Sequence, residues 1–159
     1  MHCTQEGITS TKTIRLQQLG DAPDTYVTSN ECEKKCNVLV EKFQNDFLAS
    51  NPLLKDRLLL QPTNEYGTKK FVCTYIQQTL IPYPDFYDLQ TCAQFIARYV
   101  TYEPLVSLFA VVSPSQTLEW AVGDCFDISF LLASLLLGAG YDAYVVFGEA
   151  SEWITLHNC

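Results

Sequence analysis

The chain has 159 residues, 48% of them hydrophobic and 18% charged, which is a globular composition long enough for one domain with an appendage. Its net charge of −8 is one-sided: residues 1–80 hold nine acidic and nine basic side chains, residues 81–159 nine acidic and one basic, Arg98. Nucleic acid and an anionic membrane are therefore disfavoured as partners, because each selects a basic face.

The opening MHCTQEGITS lacks the apolar run of a signal peptide. Seven cysteines (Cys3, Cys32, Cys36, Cys73, Cys92, Cys125 and Cys159) make an odd set without a CxxC pair. Reduced thiols in a cytosolic compartment are the simplest reading. Cys32 and Cys36 could form half of a metal site, but no second pair completes it, so neither metal nor cofactor is expected.

Residues 1–28 show no clear period and contain the turn-forming GDAPD, which predicts an extended arm. A helix is expected from Asn30, with Glu33 three residues on as in a capping box. Cys36, Val40, Phe43 and Phe47 would form its apolar stripe, and Asn51-Pro52 its end. PTNEYG at Pro62 to Gly67 reads as a turn, and Phe71 to Ile76 as a strand carrying Cys73 into the core. After the proline-spaced loop IPYPDFYDL, a second amphipathic helix is expected from about Asp88 to Val100. Leu89, Cys92, Ala93, Ile96, Tyr99 and Val100 would line its buried side. Asp85 and Asp88 look like a solvated loop and a cap, and Lys69-Lys70 is too short for a nucleic-acid patch.

The third helix is capped by Asp124 and is apolar nearly all round from Phe126 to Leu137, which predicts burial on every side. That stretch is too short to span a membrane. Gly138 and Gly140 supply a left-handed stop, and Tyr141 to Phe147 reads as a strand. Trp120 lies a few residues ahead, as a packing residue over the helix.

Cys125 occupies the first helical turn, where free N–H groups and the helix dipole favour a thiolate. Asp124 and Asp127 act the other way, since a flanking negative charge disfavours it. The expectation is a protonated, largely buried thiol.

The order Trp120, GDCFD, apolar helix, glycine stop and AYVVFG resembles the transglutaminase-like superfamily. Three blocks are more specific: LLLQPTNEYGTKKFVCT from Leu58, IPYPDFYDLQTCAQFIARYVTYEPL from Ile81, and LEWAVGDCFDISFLLASLLLGAGYDAYVVFGEA from Leu118. They resemble the subunit 7 family of the nexin–dynein regulatory complex of motile cilia and flagella.

The resemblance implies an α+β fold. It would be a partial transglutaminase-like, papain-type cysteine-protease-like core, with a buried central helix packed on a small antiparallel sheet. Residues 1–50 would be the arm and amphipathic helix, and 51–159 the core, ending before the strands that carry histidine and aspartate. It further implies a non-catalytic subunit in the cytoplasm and cytoskeleton, at the axoneme. Its partners would be other subunits of the complex, in particular coiled coils with basic stretches. Flat contact of residues 81–159 with acidic tubulin is disfavoured.

No catalytic residue is expected, and Cys125 would be a vestigial nucleophile. Of the two histidines, His2 and His157, neither lies in an HxW-type strand. Asn158 could not orient His157, because neighbours on a strand point to opposite faces. The alternative is a cysteine-dependent acyltransferase or peptidase that receives its histidine from outside this chain.

Overall fold

The computed structural model describes residues 10–23, 31–52, 60–104 and 110–146. Among these it is an α+β arrangement of five α-helices and four two-residue strands.

Helix α1 (Thr11–Gln18) lies in the segment expected to be extended. Ser10 caps it locally, its Oγ accepting from the Thr13 N–H at 3.4 Å. The decisive partner is remote: the Glu103 carboxylate accepts from the N–H groups of Thr11 and Lys12, each at 3.0 Å. A helix this short is marginal alone, so a distant cap decides whether it forms.

Helix α2 (Glu31–Ser50) occupies the span expected for the first amphipathic helix, although Asn30 itself lies outside the described residues. Its end is well marked, since Asn51 donates to the Phe47 carbonyl from its backbone at 2.8 Å and its side chain at 3.2 Å. The apolar stripe is real but not buried. Cys36 and Phe43 are exposed, Val40 and Phe47 half-buried, and no residue of the helix is fully covered.

Strand β1 (Thr63–Asn64) opens the expected PTNEYG turn, in which the Asn64 Oδ1 accepts from the N–H groups of Tyr66 and Thr68. The strand expected at Phe71 to Ile76 is instead a 3-10 turn, Val72–Thr74. Thr74 bonds back to the Phe71 carbonyl through its N–H at 2.9 Å and its hydroxyl at 2.7 Å. Such local bonds compete with a ladder. Cys73 consequently faces solvent rather than the core.

A 3-10 turn, Pro84–Tyr87, leads into helix α3 (Leu89–Tyr99), which Asp88 caps by accepting from the Thr91 N–H at 2.9 Å. Cys92, Ile96 and Val100 are buried as expected, whereas Leu89 and Tyr99 remain exposed. Strand β2 (Thr101–Tyr102) follows directly. Strand β3 (Ala110–Val111), helix α4 (Pro114–Trp120) and strand β4 (Val122–Gly123) then lead to helix α5 (Cys125–Gly138). Half-buried Trp120 is the last residue of α4, an element not anticipated from the sequence.

The expected antiparallel sheet is absent among the described residues. Two separate parallel pairs take its place: β1 with β3 (Thr63 opposite Ala110) and β2 with β4 (Thr101 opposite Val122). Residues 141–146 form no strand either, because β propensity is realised only where a neighbour completes the ladder.

Helix α5 organises the core. Leu131 and Leu135 pack with Cys92, Ile96 and Val100, while Phe130 packs with Tyr75 and Val111 and stacks on the Tyr75 ring at 5.9 Å. Each fully buried Phe or Leu contributes about 1.5–3 kcal/mol. Burial is not complete all round, since Cys125 and Ser129 are exposed. At the far end a Cβ on Gly138 would lie 2.0 Å from the Thr79 carbonyl oxygen, and Gly140 adopts φ +93°. Gly138 thus serves close approach, and only Gly140 takes a left-handed conformation.

Candidate functional site

The start of α5 is fixed by reciprocal capping. Asp124 Oδ1 accepts from the N–H groups of Phe126 (2.8 Å) and Asp127 (3.2 Å), and Asp127 Oδ2 accepts from the Asp124 N–H at 3.1 Å. Asp127 Oδ1 also receives the Val112 N–H at 2.8 Å, which joins the helix to the residue following β3. Both carboxylates are buried, Asp127 completely. Gly123 lets the chain pass: a Cβ there would meet Asp127 Cβ at 2.9 Å.

The cation that completes this site is Lys12, from α1. Its Nζ donates to Asp124 Oδ2 at 2.5 Å and to Asp127 Oδ2 at 2.6 Å, and the residue is 8% exposed. The same helix is held at its N-terminus by Glu103, which also accepts from the Ser10 hydroxyl. Glu103 leaves β2 with its own N–H donating to the Gly123 carbonyl at 3.0 Å. One short segment is therefore clamped at two points to the strand pair that precedes Cys125. Spacing along the sequence carries no signal for a pairing across more than a hundred residues. The Ser10 cap was the one local clue to α1.

The electrostatics follow from this geometry. Despite its hydrogen bonds, desolvation is the largest influence on Asp127 and raises its pKa; Lys12 opposes and Asp124 reinforces that shift. Glu103 is held down at about 2: desolvation works against it, and the hydroxyl and N–H donors of residues 10–12 outweigh that. Cys125 is raised, first by desolvation from the protein around its sulfur, then by the Asp124 charge, with N–H groups at the helix start opposing. The shift favours the neutral thiol, as the flanking aspartates suggest, but on an exposed residue rather than a buried one.

His2, His157 and Asn158 lie outside the described residues. Among the described residues no group of three His, Cys, Asp or Glu side chains could hold a metal ion, and no helix is long and apolar enough to cross a membrane. Asp88 serves as the α3 cap, whereas Asp85 belongs to the preceding 3-10 turn.

Comparison with known proteins gives a consistent result. The chain is 40% identical over 157 residues to dynein regulatory complex subunit 7 of Xenopus tropicalis, covering 94% of this chain and 18% of that protein. It is 37% identical over 147 residues to the Chlamydomonas reinhardtii protein of that name, covering 87% of this chain and 13% of that one. The Homo sapiens protein is 37% identical over 145 residues, covering 87% and 16% respectively. The chain thus spans less than a fifth of the length of these relatives. No protein-family profile matches it.

Proposed function

We propose that this chain, by sequence a relative of dynein regulatory complex subunit 7, is a non-catalytic structural and regulatory part of the nexin–dynein regulatory complex. It would act in the cytoskeleton of motile cilia or flagella, at the axoneme, with other subunits of the complex as partners. In this reading residues 51–159 are a degenerate transglutaminase-like core and residues 1–50 its arm and amphipathic helix.

The observation that carries the non-catalytic reading is Lys12. A cation does lie at the start of the cysteine-bearing helix, but its amine is spent on two buried carboxylates that hold the fold together. The thiol beside them is pushed towards its neutral form. An arrangement of this kind positions segments; it does not activate a nucleophile, which needs an adjacent base or a lowered pKa.

A cysteine acyltransferase or peptidase is the second reading. It is favoured by one feature, the exposure of Cys125 at a helix N-terminus. Both readings can be tested in a flagellated cell that lacks the endogenous relative, using the tagged chain and its Cys125→Ala variant. Retention of both in salt-washed axonemes supports the scaffold. Absence of the unaltered chain from axonemes refutes the axonemal role, and a thioester adduct on Cys125 refutes the non-catalytic one.

A further inference from the structure

A groove of about 820 Å³ runs between α2 and the core, and three thiols line it: Cys32 and Cys36 from α2, and Cys73 from the 3-10 turn. All three are free and exposed. We propose that Cys36 and Cys73 are a thiol–disulfide modification site whose oxidation by a small-molecule disulfide fastens α2 to the core.

Helix geometry sets aside one of the three pairings. Cys32 and Cys36 sit one turn apart on α2, and side chains at that spacing have Cβ atoms about 5–6 Å apart. A disulfide needs about 3.5–4.5 Å, so a bridge within the regular helix is strained. Cys73 stands on a different element across the groove and is not bound by that spacing. The three thiols line one groove, and Cys36 lies within electrostatic range of both Cys32 and Cys73.

The attachment of α2 gives the bridge something to do. Among the described residues, its polar links to the core include Gln61 Nε2 to Asn37 Oδ1 at 2.7 Å and the Lys70–Glu33 ion pair at 3.1 Å. No residue of α2 is buried, so a covalent bond to the core would add to these polar links.

The chemistry balances with glutathione disulfide as the oxidant. A protein thiolate attacks one sulfur, the S–S bond breaks, and a mixed disulfide forms as one glutathione thiolate leaves and is protonated. The second protein thiol loses its proton and attacks the mixed disulfide, releasing the second glutathione. Two protein thiols are oxidised and one disulfide is reduced to two thiols.

The test is titration of the whole chain with glutathione disulfide, quenching by alkylation, and mapping of linked peptides by mass spectrometry. The expected product links Cys36 to Cys73, raises the melting temperature, and vanishes in both Cys36→Ser and Cys73→Ser. Cys32→Ser should still form it. A dominant Cys32–Cys36 link, a link through Cys125, only glutathione adducts, or an unchanged melting temperature in the linked chain would overturn the proposal.

Discussion

Lys12 stands against two carboxylates in a site that leaves it 8% exposed, and removing it exposes the cost of burying them. Lys12→Met should destabilise the chain by about 3–5 kcal/mol, the usual consequence of orphaning a buried charge. Adding Asp127→Asn should recover part of that loss, because the variant then buries one charge fewer. Denaturant melts at neutral pH measure both, and a stable Lys12→Met protein would show that the cluster carries little.

Glu103 gives a separate signature. Its folded pKa of about 2 lies below the ordinary 4.5, so its contribution is complete above about pH 4.5 and is lost as pH falls through about 2. Asp127 has the opposite sign, with a folded pKa above the ordinary 3.8. Its titration favours folding below that value and ceases to do so as pH rises through the shifted one. Glu103→Gln should therefore remove the acid-side loss between about pH 4.5 and 2, leaving the Asp127 dependence in place; pH-resolved melts would show whether it does.

At the scale of elements, α5 was legible because every local cue agrees: an aspartate cap, an apolar run and glycines after it. Its interior should tolerate no charge. Leu135→Asp places a carboxylate among Cys92, Ile96 and Leu131 and should prevent folding, read as loss of a cooperative transition. Gly138→Ala forces the 77–79 segment away, since Thr79 donates its N–H to the Ser134 carbonyl at 3.0 Å and its own carbonyl crowds Gly138. A loss of about 1–3 kcal/mol is expected. Several elements misjudged from sequence depend on remote partners. Helix α1 needs Glu103, the two-residue strands need their parallel neighbours, and the stripe of α2 finds no core to cover it. At Phe71 to Ile76, β-branched and aromatic composition was outweighed by the bonds from Thr74 back to Phe71. For the site, the cysteine at a helix start was visible in the sequence, while its lysine was not.

At the scale of the whole molecule, residues 141–146 hold the strongest contrast between composition and surroundings. The segment alternates in exposure as a strand does, with Ala143 and Val145 half-buried and Tyr144 and Val146 exposed at 86% and 89%. Val145 packs against the cluster of Tyr75, Val111 and Phe130, so the inner face is anchored. Tyr141 closes the end of α5 by donating its N–H to the Leu136 carbonyl at 3.0 Å, and residues 142–146 make no backbone hydrogen bond to another described residue. An anchored strand-like segment with no backbone partner among the described residues is a template for pairing with a further strand. In the monomeric chain the amides of residues 143–146 should therefore exchange with solvent orders of magnitude faster than those of Phe130 to Leu135 in the core. Tyr144→Lys with Val146→Lys should lower self-association at high concentration without lowering the melting temperature, because neither side chain contributes to the core. Protected amides in a verified monomer would show that the segment is already paired, and a lower melting temperature in the double variant would show that its outer face is not free.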